Sequence, residues 1–220
     1  MGDPTTILTQ ILSDRPAVHP GKSGEERCIG LHSQTLETLF RQLSPGMSTL
    51  ETGCGLSTLI FALAGCNHLA IVPNQGHVES TRRAAGEFGI DLNKTGFRMA
   101  RSEDLLPTMM ADDSLDIVLI DGGHAFPIPY IDWFYGGRRL KRGGLLVVDD
   151  TNIRTVSVLC DFLDQQPAWS RETEIHGTAF YRLTGNVTEP DEWDYWRDQP
   201  FNLNVAIQIR KVIMNLKRRL

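Results

Sequence analysis

Between residues 49 and 163, short apolar runs alternate with stretches of helical periodicity, and this alternation narrows the available folds more than any other feature of the chain. Thr49–Thr52, His68–Val72, Gly96–Ala100, Leu115–Ile120 and Leu145–Val148 read as strands, and Ser57–Ala64, Val78–Phe88, Glu103–Met110, Ile128–Leu140 and Ile153–Leu163 as helices. Leu115–Ile120 is an almost unbroken apolar run, as a parallel strand covered on both faces requires. Strand and helix in turn at this spacing give βαβ units and a parallel sheet. A helix over Ser33–Leu43, with Ser33 as N-cap, precedes the first unit and stops at Ser44-Pro45-Gly46. After the fifth unit the pattern changes: Glu172–Ile175 and Ala179–Leu183 flank His176-Gly177-Thr178, which reads as a hairpin. The expected fold is α/β: a Rossmann-like, doubly wound, seven-stranded, mostly parallel sheet with a C-terminal antiparallel hairpin and helices on both faces.

The ends differ from this middle. Met1–Gly30 is rich in Pro, Gly, Ser and charge and reads as an N-terminal arm or lid, leaving 31–185 as the domain proper. Residues 186–220 form an extension: an acidic stretch with Trp193, Tyr195 and Trp196, then an amphipathic basic helix over Ala206–Leu220 with Arg210, Lys211, Lys217, Arg218 and Arg219. Such a helix suits packing on its own domain or on the mate of a homodimer. The net charge of −5 argues against nucleic acid as the main partner, because phosphate binding needs a basic surface. No apolar run approaches the roughly 20 residues that span a bilayer. Cys28, Cys54, Cys66 and Cys160 include no CxxC pair, so reduced thiols and a cytoplasmic location are expected.

Two clusters carry the chemistry. The first is Glu51-Thr-Gly-Cys-Gly-Leu-Ser57, at the end of the first strand and the start of a helix, where an α/β sheet binds nucleotides. The dinucleotide fingerprint G-x-G-x-x-G is incomplete, because Thr58 stands at its third glycine and Pro73-Asn74-Gln75 ends the second strand without a carboxylate. No G-K-[ST] follows either, so a Walker loop is excluded. The second cluster is Asp121-Gly122-Gly123-His124 after the fourth strand, with Val148-Asp149-Asp150-Thr151-Asn152 after the fifth. Neighbouring parallel strands lie about 4.8 Å apart, so Asp121, Asp149 and Asp150 meet at one mouth. Three carboxylates there repel unless protonated, hydrogen-bonded or bridged by a cation, and an oxygen-only set suits Mg²⁺. Capping of the next helix by Asp149 or its neighbours, and a turn contact for Asp121, are the competing structural roles. His124 reads as a general base or as a turn histidine, and His32 as a surface histidine.

Acid-x-Gly-x-Gly-x-Ser/Thr resembles motif I of the class I methyltransferases. D-G-x-H, a helix, and then G-G-x-x-x-x-D-D resembles methyltransferase family 24, the small O-methyltransferase-like group, and is similar to the macrolide-sugar O-methyltransferases. The resemblance implies S-adenosylmethionine as cofactor, with Glu51, Gly53, Gly55 and Ser57 at its methionine end. It implies Ser102-Glu103 in the adenine region, and Asp121, Asp149 and Asp150 as ligands of Mg²⁺. The family usually has an acidic residue for the ribose at the end of the second strand; here Asn74 takes that place, and its amide still hydrogen-bonds a diol. The expected activity is O-methylation of a small-molecule or sugar hydroxyl, with His124, Asp149 and Asp150 catalytic and Asp121 shared with the cofactor. Two rival readings are a catalytically inactive cofactor-binding regulator or scaffold, and a Mg²⁺-dependent hydrolase using the aspartate cluster.

Overall fold

The computed structural model describes residues 3–20, 26–27, 30–109, 114–185 and 199–203. Cys28, the aromatic cluster at 193–196 and the basic helix expected over 206–220 lie outside them.

Strands β1 (Ser48–Thr52), β2 (Asn67–Ile71), β3 (Thr95–Arg98), β4 (Leu115–Ile120), β5 (Leu140–Val148), β6 (Trp169–Ile175) and β7 (Thr178–Leu183) form one seven-stranded sheet in the order β3-β2-β1-β4-β5-β7-β6. The first five strands are parallel; β7 runs antiparallel to both β5 and β6. This is the expected architecture. Period-2 geometry divides each central strand between two cores. In β4, Ile117 and Leu119 enter one core while Val118 and Ile120 enter the other, and in β5 Leu145 and Val147 separate from Leu146 and Val148 in the same way. Every one of these eight side chains is buried. Both faces of the middle strands must therefore be covered by helices.

Helices α2 (Ser33–Gln42) and α3 (Leu56–Leu63) cover the first face, contributing Leu36, Leu39, Leu59 and Phe61. Helix α7 (Arg154–Leu163) covers the second with Val156, Leu159 and Leu163. Helix α4 (Gln75–Glu87) buries Val78, Thr81, Ala84 and Ala85.

The N-terminal segment expected as an arm or lid contains a helix, α1 (Pro4–Asp14), that contributes Ile7, Leu8 and Ile11 to the first core. Asp3 caps it, accepting from the Thr6 N–H at 3.0 Å. Beyond it, His19–Pro20 pairs antiparallel with Glu26–Arg27. Its Pro- and Gly-rich composition hid an i, i+1, i+4 apolar stripe that docks on α2 and α3.

Three local expectations change. His32, not Ser33, caps α2, its Nδ1 accepting from the Gln34 N–H at 3.2 Å. The helix expected over 103–110 is α5 (Ser102–Leu105) followed by a 3₁₀ turn, Leu106–Thr108, that accommodates Pro107. The helix expected over 128–140 is α6 (Ile128–Asp132) followed by a π turn, Trp133–Gly137; the poor helix formers Gly136 and Gly137 end it and β5 begins at Leu140. The described residues end with α8 (Pro200–Leu203), whose Phe201 ring lies 5.5 Å from that of Phe162.

Candidate active site

The strand order reverses between β1 and β4, which leaves a crevice at their C-terminal ends. The ladder carries on one residue past each strand. Gly53 N–H donates to Ile71 O at 2.9 Å, Asp121 N–H to Thr52 O at 3.2 Å, and Asp149 N–H to Ile120 O at 3.0 Å. Gly53, Asp121 and Asp149 thus stand side by side at one rim. A cavity of about 690 Å³ opens over them. Of the residues expected in the site, Gly53, Asn74, Ser102, Glu103, Asp121, His124, Asp149 and Asp150 line it.

Gly53 has φ +98°, and a Cβ there would stand 2.4 Å from the Asp121 carbonyl oxygen. Only glycine lets the loop close on β4. Asn74 caps α4, its Oδ1 accepting from the Gly76 N–H at 2.8 Å, and its amide N–H groups remain for other partners.

Glu51, Gly55 and Ser57, expected at the methionine end of the cofactor, are not among the residues that line the cavity. Glu51 is wholly buried beneath the loop. Its carboxylate accepts from Ser57 Oγ at 2.6 Å and from Thr58 Oγ1, and it meets His68 Nε2 at 3.0 Å. Thr58 Oγ1 in turn accepts from the Gly55 N–H at 2.9 Å, and the His68 ring stacks on Phe61 at 4.4 Å. The acidic residue therefore holds the glycine loop from below. Gly55 packs under the arm: its Cβ would stand 3.2 Å from His19 Nε2. Thr58 and His68 were missed as parts of this device. Thr58 carried a signal, since it replaces the third glycine of the dinucleotide fingerprint with a hydroxyl; His68, in an apolar strand, carried none beyond its burial.

The carboxylates divide. Asp121 is half-buried at the cavity rim, and desolvation, then the charges of Asp149, Glu51 and Asp150, push its pKa well above the usual carboxylate range. Desolvation also raises Asp149, partly offset by its bond from Thr178 Oγ1. Asp150 adopts φ +58° and places Oδ2 3.0 Å from His124 Nε2, an electrostatic contact without the alignment of a full hydrogen bond. The structure brings together one ligand atom each of Asp121, His124 and Asp150, all within 4.8 Å of one another. Asp149, the third carboxylate of the expected ligand trio, turns to Thr178 instead. None of these side chains caps α7, whose N-cap, Ile153, makes no side-chain bond.

Other cavity residues had no signal in the sequence. His19 and His77 meet edge to face at 4.9 Å between ring centroids, bringing the N-terminal segment and α4 together over the glycine loop. His32 lies away from the cavity, stacked on His176 at 3.6 Å.

A family described as a methyltransferase domain matches residues 50–151. Among curated proteins, no sequence matches. Among solved structures, the fold is similar to the O-methyltransferase TomG from Streptomyces achromogenes, involved in tomaymycin synthesis and solved with SAM (17% identity, TM-score 0.62, 80% of this chain and 90% of that one). It is also similar to a putative caffeoyl-CoA O-methyltransferase from Staphylococcus aureus (13%, 0.61, 84% and 93%). A cofactor-bound protein from MTB matches at 20% identity and TM-score 0.60, over 84% of this chain and 92% of that one.

Proposed function

We propose that this chain, whose residues 50–151 match a methyltransferase-domain family and whose fold is similar to solved O-methyltransferases, moves the methyl group of S-adenosylmethionine to an oxygen of a small-molecule or sugar acceptor. The observation that carries this reading is the cavity at the strand ends, with a close-packed glycine loop on one side and the His124–Asp150 pair on the other. The cofactor's methionine end lies over Gly53, its ribose against the free amide of Asn74, and its adenine by Ser102-Glu103. The acceptor enters over His124, Asp149 and Asp150.

Methyl transfer is an in-line displacement, so the protein's work is alignment and proton removal. The acceptor oxygen forms a bond to the methyl carbon as the carbon–sulfur bond breaks, and the sulfonium becomes a neutral thioether. The hydroxyl proton passes to His124. Asp150 holds the Nε2 side of the imidazole, leaves Nδ1 to take the proton, and stabilises the imidazolium that forms. Asp121 contributes a half-buried acidic group beside the cationic cofactor. Two carboxylates and an imidazole also fit a divalent cation; Asp121, His124 and Asp150 would hold it, and it would lower the pKa of the acceptor hydroxyl.

The test is calorimetric titration with S-adenosylmethionine and S-adenosylhomocysteine, with and without Mg²⁺, followed by methyl-transfer assays over a panel of hydroxyl acceptors. Micromolar binding and turnover lost in His124→Ala support the reading. Binding without turnover of any acceptor points to a cofactor-binding regulator, and Mg²⁺-dependent hydrolysis without cofactor binding overturns the proposal. No helix among the described residues is long and apolar enough to cross a membrane.

A further inference from the structure

Behind the cavity floor sits a carboxyl group that methyl transfer leaves unused. Asp132, at the end of α6, is 1% exposed, and neither of its oxygens has a hydrogen-bond partner of good geometry. Two hydroxyls lie beside it, those of Ser102 and Thr52. Thr52 Oγ1 is itself buried without a partner, so an unsatisfied donor and an unsatisfied acceptor are neighbours in a dry place. Ser102 opens α5, which packs on α6, and both Ser102 and Thr52 line the cavity. Nothing in the fold demands a carboxylate here. An apolar side chain would cover the strand at lower cost, because a buried charge needs aligned partners.

Hydroxyl chemistry supplies a use. A serine hydroxyl carries one proton and two lone pairs, and an ionised carboxylate only accepts. A hydroxyl beside that carboxylate must point its proton at it, so lone pairs remain for anything else that approaches. We propose that Asp132 sets the hydrogen polarity of the cavity floor: it takes the Ser102 proton, so that Ser102 Oγ accepts a ligand N–H and disfavours a ligand carbonyl. Asp132 is on this account a positioning and specificity-determining residue that touches no ligand itself. With the cofactor's purine by Ser102, as the proposed function has it, the matched group is the exocyclic amine of adenine. Burial raises the Asp132 pKa to about 6, so the carboxylate is ionised and acceptor-only at pH 8.

The experiment compares two ligands that differ at that edge of the purine, S-adenosylhomocysteine and S-inosylhomocysteine, in which a keto oxygen replaces the amine and N1 carries a hydrogen. Both are titrated calorimetrically at pH 8 into the wild-type chain, Asp132→Asn and Ser102→Ala. The wild type is expected to favour the adenine form by about ten-fold, the scale of one matched against one mismatched hydrogen bond. In D132N the acceptor-only carboxylate becomes an amide that donates as well as accepts, so the serine proton is no longer fixed inward and the preference falls towards parity. In S102A the preference weakens as well. A D132N chain that keeps the wild-type ratio overturns the assignment, as does a wild type that binds both forms equally. A wild type that binds neither overturns the cofactor reading of the cavity, and this proposal with it.

Discussion

Replacing Gly53 by alanine tests the central feature of the site, the closure of the glycine loop on β4. The added Cβ would stand 2.4 Å from the Asp121 carbonyl oxygen, where real Cβ contacts stay above 3.0 Å. The obstacle is backbone, pinned by the Asp121 N–H bond to Thr52 O, so no side-chain rotation relieves it. The residue also sits at φ +98°, which costs an L-residue about 1–2 kcal/mol. Overpacking a tight contact adds about 1–3 kcal/mol. The expected loss is therefore about 2–5 kcal/mol, from a total that for a domain of this kind is about 5–15. If the chain yields instead of unfolding, the loop lifts away from Asp121 and cofactor affinity falls at least ~10-fold, the equivalent of ~1.4 kcal/mol. The control is Gly89→Ala: φ is +65° there, but nothing lies within 4 Å of the added carbon, so only the backbone term applies. Urea denaturation and calorimetric titration of both variants read the two effects apart. A Gly53→Ala chain no less stable than Gly89→Ala, with unchanged cofactor affinity, would refute the reasoning that the loop closes against the Asp121 carbonyl.

Three further predictions concern charge. Glu51→Gln leaves a buried network of Ser57, Thr58 and His68 without its charged acceptor; a loss of about 3 kcal/mol in urea denaturation is expected, and a loss under 0.5 kcal/mol would show that the carboxylate does not hold the loop. Under the proposed mechanism, His124→Ala lowers kcat by about 10²–10⁴-fold with little change in cofactor affinity, and Asp150→Asn lowers it less; full activity in either variant, measured by methyl transfer to an active acceptor, removes that residue's role. Asp132 is expected to make stability fall with rising pH. Its folded pKa, about 6, lies above the usual 3.8, so its favourable contribution is complete below 3.8 and is lost as pH rises through about 6. The stability of Asp132→Asn relative to the wild type should therefore grow by about 2 kcal/mol between pH 4 and pH 7; a difference flat with pH across denaturation curves would contradict a raised Asp132. The raised Asp121 and Asp149 act with the same sign, so replacing Asp132 alone isolates its part.

Much of the molecule was legible in order of residues alone, and the reason is local. Leu115–Ile120 has to be a strand buried on both faces whatever surrounds it, and the hairpin at His176-Gly177 is specified by its own few residues. Parallel pairing then places the residues that follow β1, β4 and β5 at one rim, so Gly53, Asp121 and Asp149 as neighbours follow from strand ends. What a side chain does at that rim depends on contacts between residues far apart in the chain, and there tertiary structure decided. Glu51 read as a cofactor residue because it precedes the glycines; the partner that draws it inward, His68, is 17 residues away in another strand. Asp149 and Asp150 are adjacent and chemically alike, yet the left-handed backbone of Asp150 sends one to His124 while Thr178, across the sheet on β7, takes the other. Asp132 is a buried carboxyl only because α6 packs beside α5 and the end of β1. Periodicity and turn chemistry act over a few residues and so determine the elements and their order. Hydrogen bonding and desolvation act between whichever groups packing brings together, and only the folded chain settles those.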